Sequence, residues 1–74
     1  MNLNASWSWI DNLKAAQSEK SKVEIHLRGG GTLAGTVAAV GDHAVHLTQL
    51  AGKEFFDALV RLDDISALEV RVRK

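Results

Sequence analysis

From Val23 to Val72 apolar and polar positions alternate with few interruptions, and glycines stand where the chain has to turn back. Val23, Ile25 and Leu27 share one parity and Glu24, His26 and Arg28 the other, the period-two signature of a half-buried strand over 22–28. Gly29-Gly30-Gly31 follows as a tight turn, because glycine enters positive φ without steric cost. Thr32 to Val40 predicts a second strand with Leu33, Gly35, Val37 and Ala39 on one side. A glycine inside a strand marks a bend, a bulge or a close backbone approach, and a small barrel needs such a bend to close. After the turn signal Gly41-Asp42, His43 to Leu50 reads as a third strand; after Ala51-Gly52-Lys53, a fourth runs from Glu54 to Leu62. That fourth segment is apolar in both parities (Phe56, Ala58, Val60 and Leu62 against Phe55 and Leu59), which predicts a strand with both faces partly covered. Asp63-Asp64 breaks the run before a fifth strand, Ile65 to Val72, where Leu68, Val70 and Val72 alternate with Glu69, Arg71 and Arg73.

Ahead of the strands, residues 6–20 predict a helix. Ser6 or Ser8 supplies its cap, Asp11 lies in the first turn, and Trp7, Ile10 and Leu13 recur on one face. Trp9 falls one residue off that stripe, placed to reach a neighbouring subunit, although both tryptophans read first as packing residues. The polar run from Gln17 to Lys22 ends the helix. One helix followed by five short strands predicts a single, mainly β domain over 1–74. Its strands form a five-stranded, strongly bent antiparallel small barrel over 22–73, with the helix across an open end. Strands four and five are then free edges, an aggregation hazard unless an identical neighbour pairs with them. Edge pairing that closes on itself makes a ring.

Composition pushes the same way. A domain of 74 residues buries only ~60% of the surface its unfolded chain exposes, so its stability is marginal. Small domains compensate with disulfides, a structural metal or oligomerisation. The chain has no cysteine, which excludes disulfides and thiolate zinc sites, and its three histidines make a poor metal set. Oligomerisation remains, and 46% apolar residues is generous for so short a monomer. The expected interface residues are Phe55, Phe56, Leu59 and Val60 on strand four and Leu68 and Val70 on strand five. Nine Lys and Arg balance nine Asp and Glu, so nucleic-acid binding has to come from a local patch rather than the field of the whole molecule. The start of the chain lacks the basic and long apolar regions of a signal peptide, and no apolar run approaches the ~20 residues of a membrane span. A cytoplasmic protein is expected.

Candidate chemistry is sparse. His43 and His46, three apart on a strand, face opposite sides and do not chelate one ion; His26 joining one of them across strands is a weak metal signal, and no metal or cofactor is expected. Asp42, Asp63 and Asp64 have neither a nucleophile nor a partner of opposed pKa beside them and read as turn formers. Gly29-Gly30-Gly31 is not a phosphate loop, since no Lys-Ser/Thr pair or helix follows it. Arg71, Arg73 and Lys74 read as a solvated basic end. The chain is not expected to be an enzyme.

VEIHLRGGGTLAGTV is similar to the first motif of the Sm and Sm-like family, and ALVRLDDISALEV resembles the second; IDNLKAAQ occupies the place of the family's N-terminal helix. The layout is nearest the bacterial Hfq branch, and the likeness covers most of the chain after Ser8. It implies a helix-plus-five-strand fold, a homo-oligomeric ring of about five to seven subunits, and binding of single-stranded, often uridine-rich RNA around the pore. The family's loop between strands two and three carries Asp, a stacking aromatic or histidine, then Asn. Counting without gaps from Gly35 puts His43 at the stacking place, with Gly41 and Val45 where Asp and Asn belong; sliding by one residue restores Asp42 and offers His46 for Asn, but leaves Ala44 as the stacker. Arg61 matches the second motif's arginine, while Leu62 replaces its glycine and Asp64 its asparagine. Leu62-Asp63-Asp64 stands where Hfq has its Lys-His signature, and Ala15-Ala16-Gln17-Ser18-Glu19 replaces its arginine-rich rim.

The resemblance thus makes Asp42, His43, His46 and Arg61 the RNA-binding candidates, Arg61 for phosphate or base and a histidine for stacking. Two carboxylates beside the pore repel phosphate and weaken that site. One reading is an Sm-like ring that binds RNA weakly and with marked salt dependence. The alternative is a ring-forming protein-interaction scaffold, motivated by zero net charge, Asp63-Asp64 and the Trp7/Trp9 helix. A monomeric SH3-like barrel is a third.

Overall fold

The computed structural model describes residues 1–71. The expected end of strand five at Val72, with Arg73 and Lys74, lies outside the described residues. A helix, α1 (Trp9–Ser18), precedes strands β1 (Lys22–Leu27), β2 (Thr32–Val40), β3 (Ala44–Thr48), β4 (Ala58–Arg61) and β5 (Ile65–Val70), with a 3-10 turn at Leu62–Asp64 between the last two. Among the described residues no helix is long and apolar enough to cross a membrane.

The helix starts later than its apolar spacing suggests because Ser8 is the cap: its Oγ accepts the Asp11 N–H at 3.0 Å. Trp7 therefore lies outside the helix, and the buried face is Asn12, Leu13 and Ala16. The helix ends where Lys20 takes a left-handed φ of 55° and the Ser21 N–H donates to the Ala16 carbonyl at 3.0 Å.

The strands form one antiparallel sheet in the order β4-β3-β2-β1-β5. It is not closed into a barrel: among the described residues β4 pairs only with β3 and β5 only with β1, so each keeps one partner and leaves its other edge open. The sheet is nevertheless curled. Laid flat, five strands would hold the outer two about 19 Å apart. The three-residue turn from Arg61 to Ile65 reaches no more than about 15 Å.

Gly35 shows why the curl needs a glycine. A Cβ there would meet the Thr48 carbonyl oxygen at 2.6 Å and Leu50 Cδ2 at 3.0 Å, so β3 and the segment after it lie directly over the β2 backbone. Two residues later the β2–β3 register shifts between Val37 and Ala39. The shift leaves Ala39 exposed, against the parity its neighbours predict, since a one-residue slip exchanges the faces. The Gln17 side chain donates to the Ala38 carbonyl at 2.7 Å, tying α1 to this irregular point.

The core comprises Leu13, Ala16, Val23, Ile25, Val37, Val45, Leu47, Leu50, Val60 and Ile65. Strand four is much shorter than its apolar run. Turn hydrogen bonds, Lys53 N–H to the Leu50 carbonyl and Phe56 N–H to the Lys53 carbonyl, carry the chain through 50–56, and pairing with β3 begins only at Ala58. Among the described residues Asn12 is the buried polar side chain. Its Oδ1 accepts the Asn4 N–H, and its amide donates to the Asn4 and Ser8 carbonyls, pinning the N-terminal segment to the helix.

Candidate functional site

The loop between β2 and β3 meets the end of β4 at one end of the sheet. Ala44 is the register partner of Arg61, and the Leu62 N–H donates to the His43 carbonyl at 2.9 Å. This brings the loop Gly41-Asp42-His43 against the exit of β4, with Asp42, His43 and Arg61 all exposed. Arg61 has an acidic neighbour: Asp63 Oδ2 lies 3.7 Å from its guanidinium. Both groups are largely solvated, so the pair is weak and the guanidinium is available to a better anion.

His46 stands two residues along β3 from Ala44, on the face that Arg61 occupies. It lies within β3, opposite Leu59, and its Nε2 sits 3.0 Å from Asp57 Oδ2. Of the four RNA-binding candidates, Asp42 and His43 lie in the loop whose backbone meets Leu62, while His46 shares the outer face of the β3–β4 ladder with Arg61. The Asp57 partner was hidden because it stands in the irregular segment before β4.

The expected interface residues also divide. Phe55 is 98% exposed, Phe56 64% and Leu59 76%, three apolar side chains in water on and just before β4. The two phenylalanines precede β4 rather than sit on it. Val60 is buried in the chain's own core, so it offers a neighbour only its backbone. On β5, Leu68 and Val70 are half-buried against the core.

Trp7 and Trp9 are both substantially exposed, not packed inside. With Leu3, Asn4, Asn12 and Leu68 they line an open groove of about 480 Å³ beside β5.

A second polar cluster was not foreseen. Glu24 and Glu69 are register partners across β1 and β5, and His26 Nε2 lies 3.8 Å from Glu24 Oε2 and 3.4 Å from Glu69 Oε2. The legible signal was Glu24 and His26 on one face of a strand; Glu69 enters only once β5 is known to pair with β1. Compared with known proteins, the chain matches no family model and no curated sequence.

Proposed function

We propose that this chain assembles through the open edges of β4 and β5 into an Sm-like ring of identical subunits that binds single-stranded RNA weakly. The RNA contact is the end of the sheet that carries Arg61 and the His43 loop. The carrying observation is the hydrogen bond from Leu62 N–H to the His43 carbonyl, which holds the loop bearing the exposed His43 against the end of β4, next in the chain to the exposed Arg61. Imidazole stacks on an unpaired base and guanidinium grips phosphate, the two contacts single-strand recognition uses. Asp42, Asp63 and the zero net charge keep the affinity low and dependent on salt. The apolar surface of Phe55, Phe56 and Leu59 supports self-association, since a monomer gains nothing by leaving it in water.

The test pairs native mass measurement with fluorescence anisotropy of labelled oligo-U and oligo-A at low salt. The expected result is a mass several times 8.0 kDa together with saturable binding. Absence of saturable binding at about tens of micromolar rejects RNA as the ligand. The groove between Trp7, Trp9 and Leu68 favours a second reading, a ring that serves as a protein scaffold. In that case nuclease leaves captured partners unchanged, and Trp9→Ala abolishes capture while the ring persists.

A further inference from the structure

The outer face of β1 and β5 gathers three metal-ligating groups. Glu24 and Glu69 stand directly opposite one another, and His26, two residues beyond Glu24, shares their face. Like charges in directly opposed positions of a ladder repel. Among the described residues the group that answers both carboxylates is His26. Its Nε2 is shielded from solvent and has no hydrogen-bond partner, although the ring as a whole is partly exposed. A shielded nitrogen left unpaired between two carboxylate oxygens is the kind of orphan that a bound ion resolves.

The spacing fits. Two ligands held about 2.1 Å from a tetrahedral ion are about 3.4 Å from each other. The His26 nitrogen already lies 3.4 Å and 3.8 Å from its two carboxylate oxygens, and all three donor atoms lie within 4.8 Å of one another. Two carboxylates and a neutral imidazole balance a divalent charge. One nitrogen with two oxygens selects a first-row transition ion over calcium or magnesium, which want oxygen throughout. An open cleft of about 380 Å³ adjoins Glu24 and Glu69, with Lys22 and Arg71 also on its walls.

We propose that Glu24, His26 and Glu69 form a binding site for a divalent first-row transition-metal ion of the zinc type. The ion clips edge strand β5 to β1 and cancels the repulsion between the two glutamates. The site stands independently of RNA binding.

Calorimetric titration of metal-free protein with zinc chloride tests it, using magnesium chloride as the comparison and visible absorption of added cobalt as a second probe. Expected is one zinc ion per chain with a Kd of about ten micromolar, zinc preferred over magnesium by about a hundredfold. His26→Gln and Glu69→Gln each weaken binding about tenfold or more, whereas His46→Gln leaves it unchanged. Zinc raises the melting temperature of the wild-type chain but not of His26→Gln. Should a variant fail to fold, broadening of the His26 ring resonances of the unmodified chain by substoichiometric cobalt reads the same contact. The proposal is overturned by absence of saturable zinc binding up to about 1 mM, by binding that survives His26→Gln, or by cobalt broadening confined to His43 or His46. A protonated His26 bridging the two glutamates would give that first result.

Discussion

The two open edges of the sheet are built on opposite principles. β4 is four residues long, and the side chains around its free edge are apolar and in water: Phe55, Phe56 and Leu59. β5 is longer and already braced. The Ser66 hydroxyl donates to the His26 carbonyl, Glu69 sets a charge on the outer face, and Leu68 and Val70 lean on the core. Charges and short strands are the ordinary protections of an edge. β4 is short and carries Arg61 at its end, but the exposed apolar residues beside it weaken that protection. Two unlike edges on one chain invite a head-to-tail contact, which gives a ring if the rotation closes and a filament if it does not.

Removing the apolar surface of β4 is the largest way to break that contrast. Phe56→Ser with Leu59→Lys is expected to reduce the native mass to that of a single 8.0 kDa chain. Both side chains are exposed, so unfolding of the isolated chain should change by no more than about 0.5 kcal/mol. The matching change on the other edge, Leu68→Lys, should lower stability by about 1–3 kcal/mol as well as reduce the mass, because Leu68 packs on the core. Light scattering beside denaturant unfolding separates the two. A mass unchanged by the β4 substitutions would show that association, if any, uses another surface.

Gly35→Ala strikes the support of one edge and spares the other. The new methyl meets the Thr48 carbonyl at 2.6 Å, and backbone cannot swing aside as a side chain does. Overpacking of this kind costs about 1–3 kcal/mol. The strain falls on the β2–β3 pairing that carries β4, whereas β5 hangs from β1. Amide exchange should therefore quicken in β3 and β4 more than in β1 and β5. Uniform quickening would mean the sheet responds as one unit. Asn12→Ala makes the reciprocal cut on the β5 side. It frees the Asn4 N–H and carbonyl and loosens the segment bearing Trp7, at a cost of about 1–3 kcal/mol, with tryptophan emission moving to longer wavelength.

The contrast between edges also marks what the sequence could disclose. β1 and β2 fell where strict alternation and the triple glycine put them, because period two and positive φ are local signals. β4 did not. Phe55 and Phe56 are adjacent apolar residues that no parity arranges, and the turn hydrogen bonds that hold them off the sheet are invisible in an apolar count. Ala39 was misplaced by the register shift after Val37. Asn12 reads as a polar surface residue until the N-terminal segment is seen folded back on it. At the site, the placing of the His43 loop beside the end of β4, and the partners of His46 and His26, depend on a loop and on strand pairings between distant parts of the chain.

Charge offers a finer cut. Arg61 leaves β4 beside the His43 loop, while Glu24 and Glu69 put paired carboxylates on the outer face of β1 and β5, so nucleic acid should engage the first end of the sheet more than that face. Arg61→Gln is expected to weaken oligo-U binding by about fivefold and to flatten its salt dependence by roughly one phosphate contact. Glu69→Gln, in metal-free buffer, should leave the affinity within about twofold. Anisotropy titrations at two salt concentrations give both numbers. Equal losses in the two variants would deny that Arg61 marks the contact.

The smallest expected effect concerns the pair that bridges the approach to β4 with β3. His46 and Asp57 sit 3.0 Å apart, yet both are substantially exposed, and solvent and salt screen such pairs. A double-mutant cycle with His46→Ala and Asp57→Asn should therefore return a coupling of at most about 1 kcal/mol, falling further in high salt. The segment from Lys53 to Asp57 would then owe its course to turn hydrogen bonds and not to this pair. A coupling well above that bound would mean Asp57 anchors Phe55 and Phe56 in place. The apolar surface beside β4 would then be a preorganised feature, and loss of Asp57 alone should lower the native mass almost as far as loss of the aromatic side chains.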